Sequence, residues 1–262
     1  MKIKMKPALA ALTLTVVTMA GTVSAANAPD DRWRFGVIVP IWAAGIDGDM
    51  TIRGRQADVD IGFDDLKDHL DASFSLGLEA RRDRFGLYAA VGYMKFTADD
   101  TLLAGIEAEA ELKFLIAEAG ASYRLVHIGV ERPFILEALG GVRYWAIDND
   151  LEITGPGGTK LFDGGDEKDL IDPIVGLRAS QFLTHKLHLD FQGDVGGFGI
   201  SDDTSDFAWS AAGLVSYDVA RWFTLSAGYK ALAVEAESGS GTSERGVDII
   251  MHGLLLAAKF TF

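Results

Sequence analysis

From residue 33 onward, apolar and polar positions alternate along the chain in stretches broken by short polar or glycine-containing turns. A period of two is the signature of a strand, because successive side chains point to opposite faces. The C-terminal stretch DIIMHGLLLAAKFTF shows the pattern. Ile250, Leu254, Leu256, Ala258, Phe260 and Phe262 share one face. Ile249, Met251, Gly253, Leu255, Ala257, Lys259 and Thr261 share the other. Ten such segments recur, at 33–47, 72–82, 85–96, 106–125, 133–147, 171–183, 186–199, 206–218, 222–235 and 247–262. They predict an all-β protein: a ten-stranded antiparallel transmembrane β-barrel, or an eight-stranded one if one hairpin is borne by a loop.

The connections sharpen that reading. Arg82-Asp83-Arg84, Leu183-Thr184-His185 and the stretch from Asp218 to Arg221 are short, and that from Val126 to Arg132 is a little longer. The connections at 48–71, 97–105, 148–170, 200–205 and 236–246 are long, polar and rich in Asp and Glu. Short turns at one end and long loops at the other, with an even strand number, place both termini at the periplasmic end. Two segments depart from the pattern. Phe63, Leu66 and Leu70 recur at helical spacing behind acidic residues, which predicts a short helix over 63–71 in the first extracellular loop. In 106–125, Glu107, Glu109, Glu111 and Lys113 have the opposite parity to Glu118, Ser122 and Arg124. A β-bulge within Phe114-Leu115-Ile116 would flip the faces in this way. Alternatively the sheet ends near Phe114 and the upper part is a free-standing hairpin arm.

Parity also decides which face meets lipid. One face of each segment is apolar, including Phe35, Val39, Ile41, Phe74, Leu78, Leu87, Val142, Val175, Leu177, Phe191, Leu225 and Leu254. Aromatic residues gather at its two ends: Trp33, Phe85, Phe134, Tyr217, Phe223 and Phe260 at one, and Tyr93, Tyr144, Phe207, Trp209 and Tyr229 at the other. The opposite face carries Arg34, Glu79, Arg81, Glu118, Arg124, Glu137, Arg143, Arg178, His188, Asp190, Gln192, Asp194, Lys230 and Lys259. An Arg or Lys facing lipid at mid-membrane costs about 2–4 kcal/mol, so this face is the lumen. A soluble barrel would be greasy inside instead. Glu79, Arg81, Glu118, Arg124, Glu137, Arg143, Arg178, Asp190, Asp194, Lys230 and Lys259 are thus a lumen charge network and the candidate lining of a channel. Arg178 should face Gln192, with Asp190 and Asp194 as diagonal neighbours. Ten strands lie near the side-chain-filled end of the barrel size range, so the same charges equally suit a packed ionic core.

Composition adds a cell compartment. MKIKMKP, then an apolar run and Val23-Ser24-Ala25, has the form of a cleaved signal peptide over 1–25, leaving a single barrel domain over 26–262. An uncleaved anchor is the alternative, disfavoured by the short run. Loss of Lys2, Lys4 and Lys6 takes the formal charge from −14 to −14 − 3 = −17, which argues against nucleic acid. There is no cysteine, hence no disulfide. After the leader no apolar run is long enough for a spanning helix.

Candidate chemistry is sparse. No nucleophile elbow, phosphate loop, paired-His zinc motif or CxxC is present, and no catalytic residue, cofactor or metal site is assigned. His252 falls on the outward face with no Ser on its strand. The acidic runs 148–152 and 202–206 lack the spacing and glycine of a calcium loop, which leaves loosely bound divalent cations bridging to anionic headgroups as their use. Expected partners are outer-membrane lipids and lipopolysaccharide.

The stretches ADVDIGFDDLKDHLD (57–71), GGVRYW (140–145), DPIVGLR (172–178) and GDVGGFG (193–199), with the Phe-ending last strand, resemble a broad family of poorly characterised Gram-negative outer-membrane β-barrel proteins. The resemblance implies barrel architecture and an outer-membrane location, and carries no reaction. Phe262 resembles the terminal signal read by the barrel-assembly machinery. The expected function is a non-enzymatic barrel with a structural or interaction role. A narrow, porin-like channel for small solutes or ions is the alternative, and a lipid-modifying or proteolytic barrel the third reading.

Overall fold

A computed structural model describes residues 32–52, 55–61, 70–103, 106–155, 158–239 and 245–262. Eleven strands occupy them: β1 (Arg34–Ile52), β2 (Arg55–Ile61), β3 (Leu70–Arg82), β4 (Phe85–Leu103), β5 (Ile106–Ile128), β6 (Phe134–Gly155), β7 (Thr159–Phe182), β8 (Leu187–Gly197), β9 (Phe207–Ala220), β10 (Phe223–Ser238) and β11 (Arg245–Thr261). Each of β3 to β11 pairs antiparallel with its sequence neighbour, and β11 closes on β1 from Gly36↔Thr261 to Ile52↔Arg245. Ten strands therefore form the closed barrel. β2 is not one of the ten: it pairs with the upper part of β1, from Ile46↔Ile61 to Ile52↔Arg55, on the edge that β3 takes lower down. Closure leaves no free edge around most of the ring, which an antiparallel sheet in lipid requires.

The expected apolar face is the outer one. Phe35, Phe74, Leu78, Val142, Val175, Phe191, Leu225 and Leu254 are exposed on the barrel wall, while Glu79, Arg143, Arg178 and Lys230 are buried inside it. The barrel is thus oily outside and ionic within, the transmembrane arrangement. Inside, Tyr88 on β4 lies across two glycines. A Cβ added at Gly120 on β5 or Gly141 on β6 would stand 2.6 or 3.0 Å from its hydroxyl oxygen. These glycines let an aromatic ring lie flat against the wall of the filled lumen.

Two expectations need correction, and a third falls mostly outside the described residues. No bulge falls at 114–116: β4 and β5 run in register through Met94↔Phe114 and Gly92↔Ile116, and the sheet does not end there. The parity does not flip there. Phe114 and Ile116 lie inside with Glu118, while Glu111 and Lys113 stay on the outer face. The charges are tolerated because the ladder rises beyond the membrane, where that face meets water. Second, most of the expected long loops are strand. β4 to β7 continue as paired hairpins through 97–103, 106–113, 148–155 and 159–170. Charge pairs clothe them: Glu111 takes Lys95 and Lys113, each at 2.5 Å, and Lys160 meets Glu152 at 2.8 Å. The hydrogen bonds from Lys113 and Lys95 hold the Glu111 carboxyl below its usual range. Third, no helix occurs among the described residues. The segment predicted as helix falls largely on 62–69, outside the described residues, and Leu70 and Asp71 already belong to β3.

Candidate functional site: the barrel lumen

The lumen holds an ionic layer towards the short-turn end and an apolar layer above it. In the ionic layer, strand alternation aims Glu79 and Arg81 inward from β3, Glu137 from β6 and Lys259 from β11. Arg81 donates from Nε to Glu79 at 2.8 Å, and from Nη1 and Nη2 to Glu137 at 2.5 and 3.0 Å. Lys259 Nζ donates to the same Glu79 oxygen at 2.7 Å. Arg178 from β7 donates to Gln192 Oε1 at 3.0 Å and lies 3.5 Å from Glu137. The bidentate Arg81–Glu137 fork fixes geometry that a point charge would leave loose.

A second cluster sits higher. Arg143 is fully buried between two carboxylates, donating from Nε to Glu118 at 2.7 Å and from Nη2 to Asp194 at 2.8 Å. Ser210 donates to the other Asp194 oxygen. Lys230 Nζ lies 4.3 Å over the ring centroid of Trp42, and Arg143 Cζ lies 5.7 Å over that of Trp145. These two cations mark where ions give way to oil. Above them Trp42, Ile46, Met94, Phe114, Ile116, Trp145, Ile147, Leu232, Ile249 and Met251 pack as one buried cluster.

Of the eleven residues singled out from the sequence, Glu79, Arg81, Glu137, Arg178 and Lys259 come together in one network, and Glu118, Arg143, Asp194 and Lys230 in the other. Asp190 stands apart, accepting from Ser180 at 2.5 Å and Ser216 at 2.6 Å, with His188 Nδ1 2.9 Å away. Arg124 is half-buried and joins none of these ion pairs, although it faces Glu137 in the β5–β6 ladder, beside a register shift between Arg124 and Val126. Gln192 faces Arg178 as parity requires, yet Asp194, expected as a diagonal partner of Arg178, bonds Arg143 instead.

Asp172 lies outside the set of lumen charges expected from the sequence. It is fully buried on the lumen face of β7, accepting from Trp145 Nε1 at 2.8 Å, from Ser205 N at 2.8 Å and from Ser205 Oγ at 2.8 Å. The carboxylate pins the loop between β8 and β9 onto the barrel. That loop leaves β8 at Gly197, where φ is +82° and a Cβ would collide with Ser205. Asp172 has the inward parity of Arg178; its place beside Pro173, at the edge of the expected strand, hid it. Two of the motifs that carried the resemblance, GGVRYW and DPIVGLR, meet at this pin, and GDVGGFG supplies Gly197. On the outer wall, His252 Nε2 lies 2.8 Å from Asp47 Oδ2 and Nδ1 lies 2.5 Å from the Tyr229 hydroxyl. The neighbouring backbone N–H groups are engaged in the β1–β11 and β10–β11 ladders.

No protein-family model and no curated protein sequence matches the chain. Solved structures do. The outer-membrane protease OmpT from Escherichia coli superposes with a TM-score of 0.56 at 11% identity, covering 93% of this chain and 100% of that one. The translocator domain of the autotransporter NalP from Neisseria meningitidis gives 0.51 at 16% identity, covering 87% and 88%. Ail of Yersinia pestis gives 0.37 at 12% identity, covering 88% and 98%. At these identities the likeness concerns architecture, and in place of the narrower family resemblance it supports a coarser conclusion: the chain folds as a closed antiparallel barrel of the kind seen in Gram-negative outer-membrane proteins.

Proposed function

We propose that the protein is an exported, non-enzymatic outer-membrane barrel whose filled lumen is a structural core and whose elongated hairpins present an acidic surface outside the cell. In this reading the short turns are periplasmic and the β4–β7 wall is extracellular. Outer-membrane lipids and lipopolysaccharide surround the wall, loosely held divalent cations bridge its acids to headgroups, and Phe262 serves the assembly machinery. The observation that carries it is the two-layer filling: Arg143 fully buried between Glu118 and Asp194, capped by the buried Trp42 and Trp145. An ion would have to break a paired network and then cross an apolar plug, both costly. Refolded protein in planar bilayers should show no conductance steps. Steps in the wild type that change selectivity with Arg143→Ala would favour the channel instead. For the absence of catalysis, cells overproducing the wild type and His252→Ala should have the same lipid profile; a difference would revive an enzyme.

A further inference from the structure

The hairpin wall of β4 to β7 ends in a bare strand edge. β7 is paired with β6 along its length, from Phe134↔Gln181 to Gly155↔Thr159. On its other side the ladder to β8 stops at Ile174↔Gly196. The loop between β8 and β9 adds one bond more, Ile171 N to Asp203 O at 2.8 Å. Above Ile171, no strand among the described residues pairs with β7 on that side.

The edge carries a row of unused backbone groups. Phe182 N donates to Pro133 O at 3.0 Å, on the β6 side, whereas Ile171 N donates away from β6. The β6–β7 register is unbroken from Gln181 to Phe162. Even residues of β7 therefore serve the β6 ladder, and odd residues turn their N–H and C=O to the open side. Asp163, Gly165, Glu167 and Asp169 make up that open row, which runs for roughly 20 Å at about 3.3 Å per residue. Beyond it the register skips Leu161, and the template ends. Gly165, Glu167 and Asp169 are exposed, so the row meets solvent. No proline interrupts it, and Gly164 and Gly165 put no side chain at its middle.

Charge decides what can pair there. The outer face beside the edge holds Glu167 and Asp169 on β7, with Asp148 across from Glu167, Asp150 across from Gly165, and Glu152 above them. Lys160 meets Glu152 at 2.8 Å and Lys113 lies 4.0 Å from Asp150, which leaves carboxylates in excess. Pairing with the same edge of a second copy would set acids against acids, and like charges directly opposite destabilise a ladder. A strand with cations on that face would gain where a second copy loses.

We propose that residues 163–169 of β7 bind, by strand addition, an extended segment of another protein outside the cell, with Lys or Arg at every second position against Glu167 and Asp169. Main-chain hydrogen bonds to the open row supply affinity, and the alternating cations supply selectivity. The inference rests on the extracellular placement of the wall proposed above.

The test uses purified, refolded protein and a fluorescent heptapeptide of alternating Lys and Thr. The peptide should bind, and one of the same composition with its lysines in a single block should bind about tenfold more weakly. N-methylation of every second backbone nitrogen should abolish binding in one phase of the alternation, since only one set of N–H groups faces β7. Gly165→Pro removes an N–H that faces the open side and no bond to β6, so the variant should keep heat-modifiable migration in gels and lose the peptide. Glu167→Gln with Asp169→Asn should weaken binding about tenfold. Equal binding of the block peptide, or binding that survives both N-methylated phases, would overturn strand addition, as would wild-type affinity in folded Gly165→Pro. Disulfide-linked dimers formed by Glu167→Cys would make a second copy the occupant and overturn the assigned partner. Separately, Lys160→Cys on intact cells should react with a membrane-impermeant maleimide, the chain having no native cysteine. Labelling only after lysis would overturn the extracellular placement, whatever the purified protein binds.

Discussion

At the scale of single residues, the lumen is a set of partners that cannot be removed one at a time. Arg143→Ala would strand Glu118 and Asp194 in a buried site, and breaking such a pair costs about 3–5 kcal/mol. The loss should appear as a lower urea midpoint in refolded protein. A triple change of Arg143→Met, Glu118→Leu and Asp194→Leu should recover much of it, because the uncompensated charges go too. A second prediction concerns the loop pin. Trp145→Phe removes one donor to the buried Asp172 carboxylate, an interaction worth about 1.5–3 kcal/mol. Hydrogen exchange over 198–206 should quicken in that variant if the pin works as described. Much of this site was legible in advance, since alternation alone put Arg178 opposite Gln192 and turned Glu79, Arg81 and Lys259 inward. Which carboxylate each cation would choose was not legible. Asp194 reaches Arg143 from β8 across strand β7, and only barrel curvature makes them neighbours.

At the scale of elements, the hairpin wall of β4 to β7 is the largest departure from expectation. Runs such as ADDT and DNDLE look like loop because acids are poor strand formers, yet they are held in register by ladders that begin inside the membrane and continue upward. Cross-strand charge pairs replace apolar contacts there, and they give the wall a pH dependence. Glu111, held below its usual range by Lys113 and Lys95, contributes stability that is present above the free-carboxyl value of 4.5 and is lost as pH falls through the lower folded value. Protection factors at the upper ends of β4 and β5 should therefore hold at neutral pH and drop in acid below that value. Glu111→Gln should lower them at neutral pH and remove the acid-induced drop. Unchanged protection in both would mean that the two lysines add nothing to the wall. The missing bulge follows from the same continuity: polar side chains on the outer face signalled exit from the membrane, and were open to misreading as a change of face.

For the whole molecule, closure and filling act together. In the proposed reading the ionic and apolar layers each block the lumen, so Arg143→Ala with Arg178→Ala should remain silent in planar bilayers while the Trp42–Trp145 plug is in place. Adding Trp42→Ala and Trp145→Ala should open a conductance. A quadruple variant that folds, by heat-modifiable migration in gels, and still conducts nothing would show that the plug and the ion pairs are not the barrier. The sequence by itself determined the face that meets lipid and most of the charges turned inward, and favoured ten barrel strands over eight, because alternation and the cost of a charge in hydrocarbon are local rules. Only the tertiary structure decided the partners within the lumen, the height of the hairpin wall and the short ladder of β1 on β3, which ends at Ile38↔Gly77. Those depend on shear, on curvature and on where one ladder ends while its neighbours continue, quantities that belong to the closed ring and to no single strand.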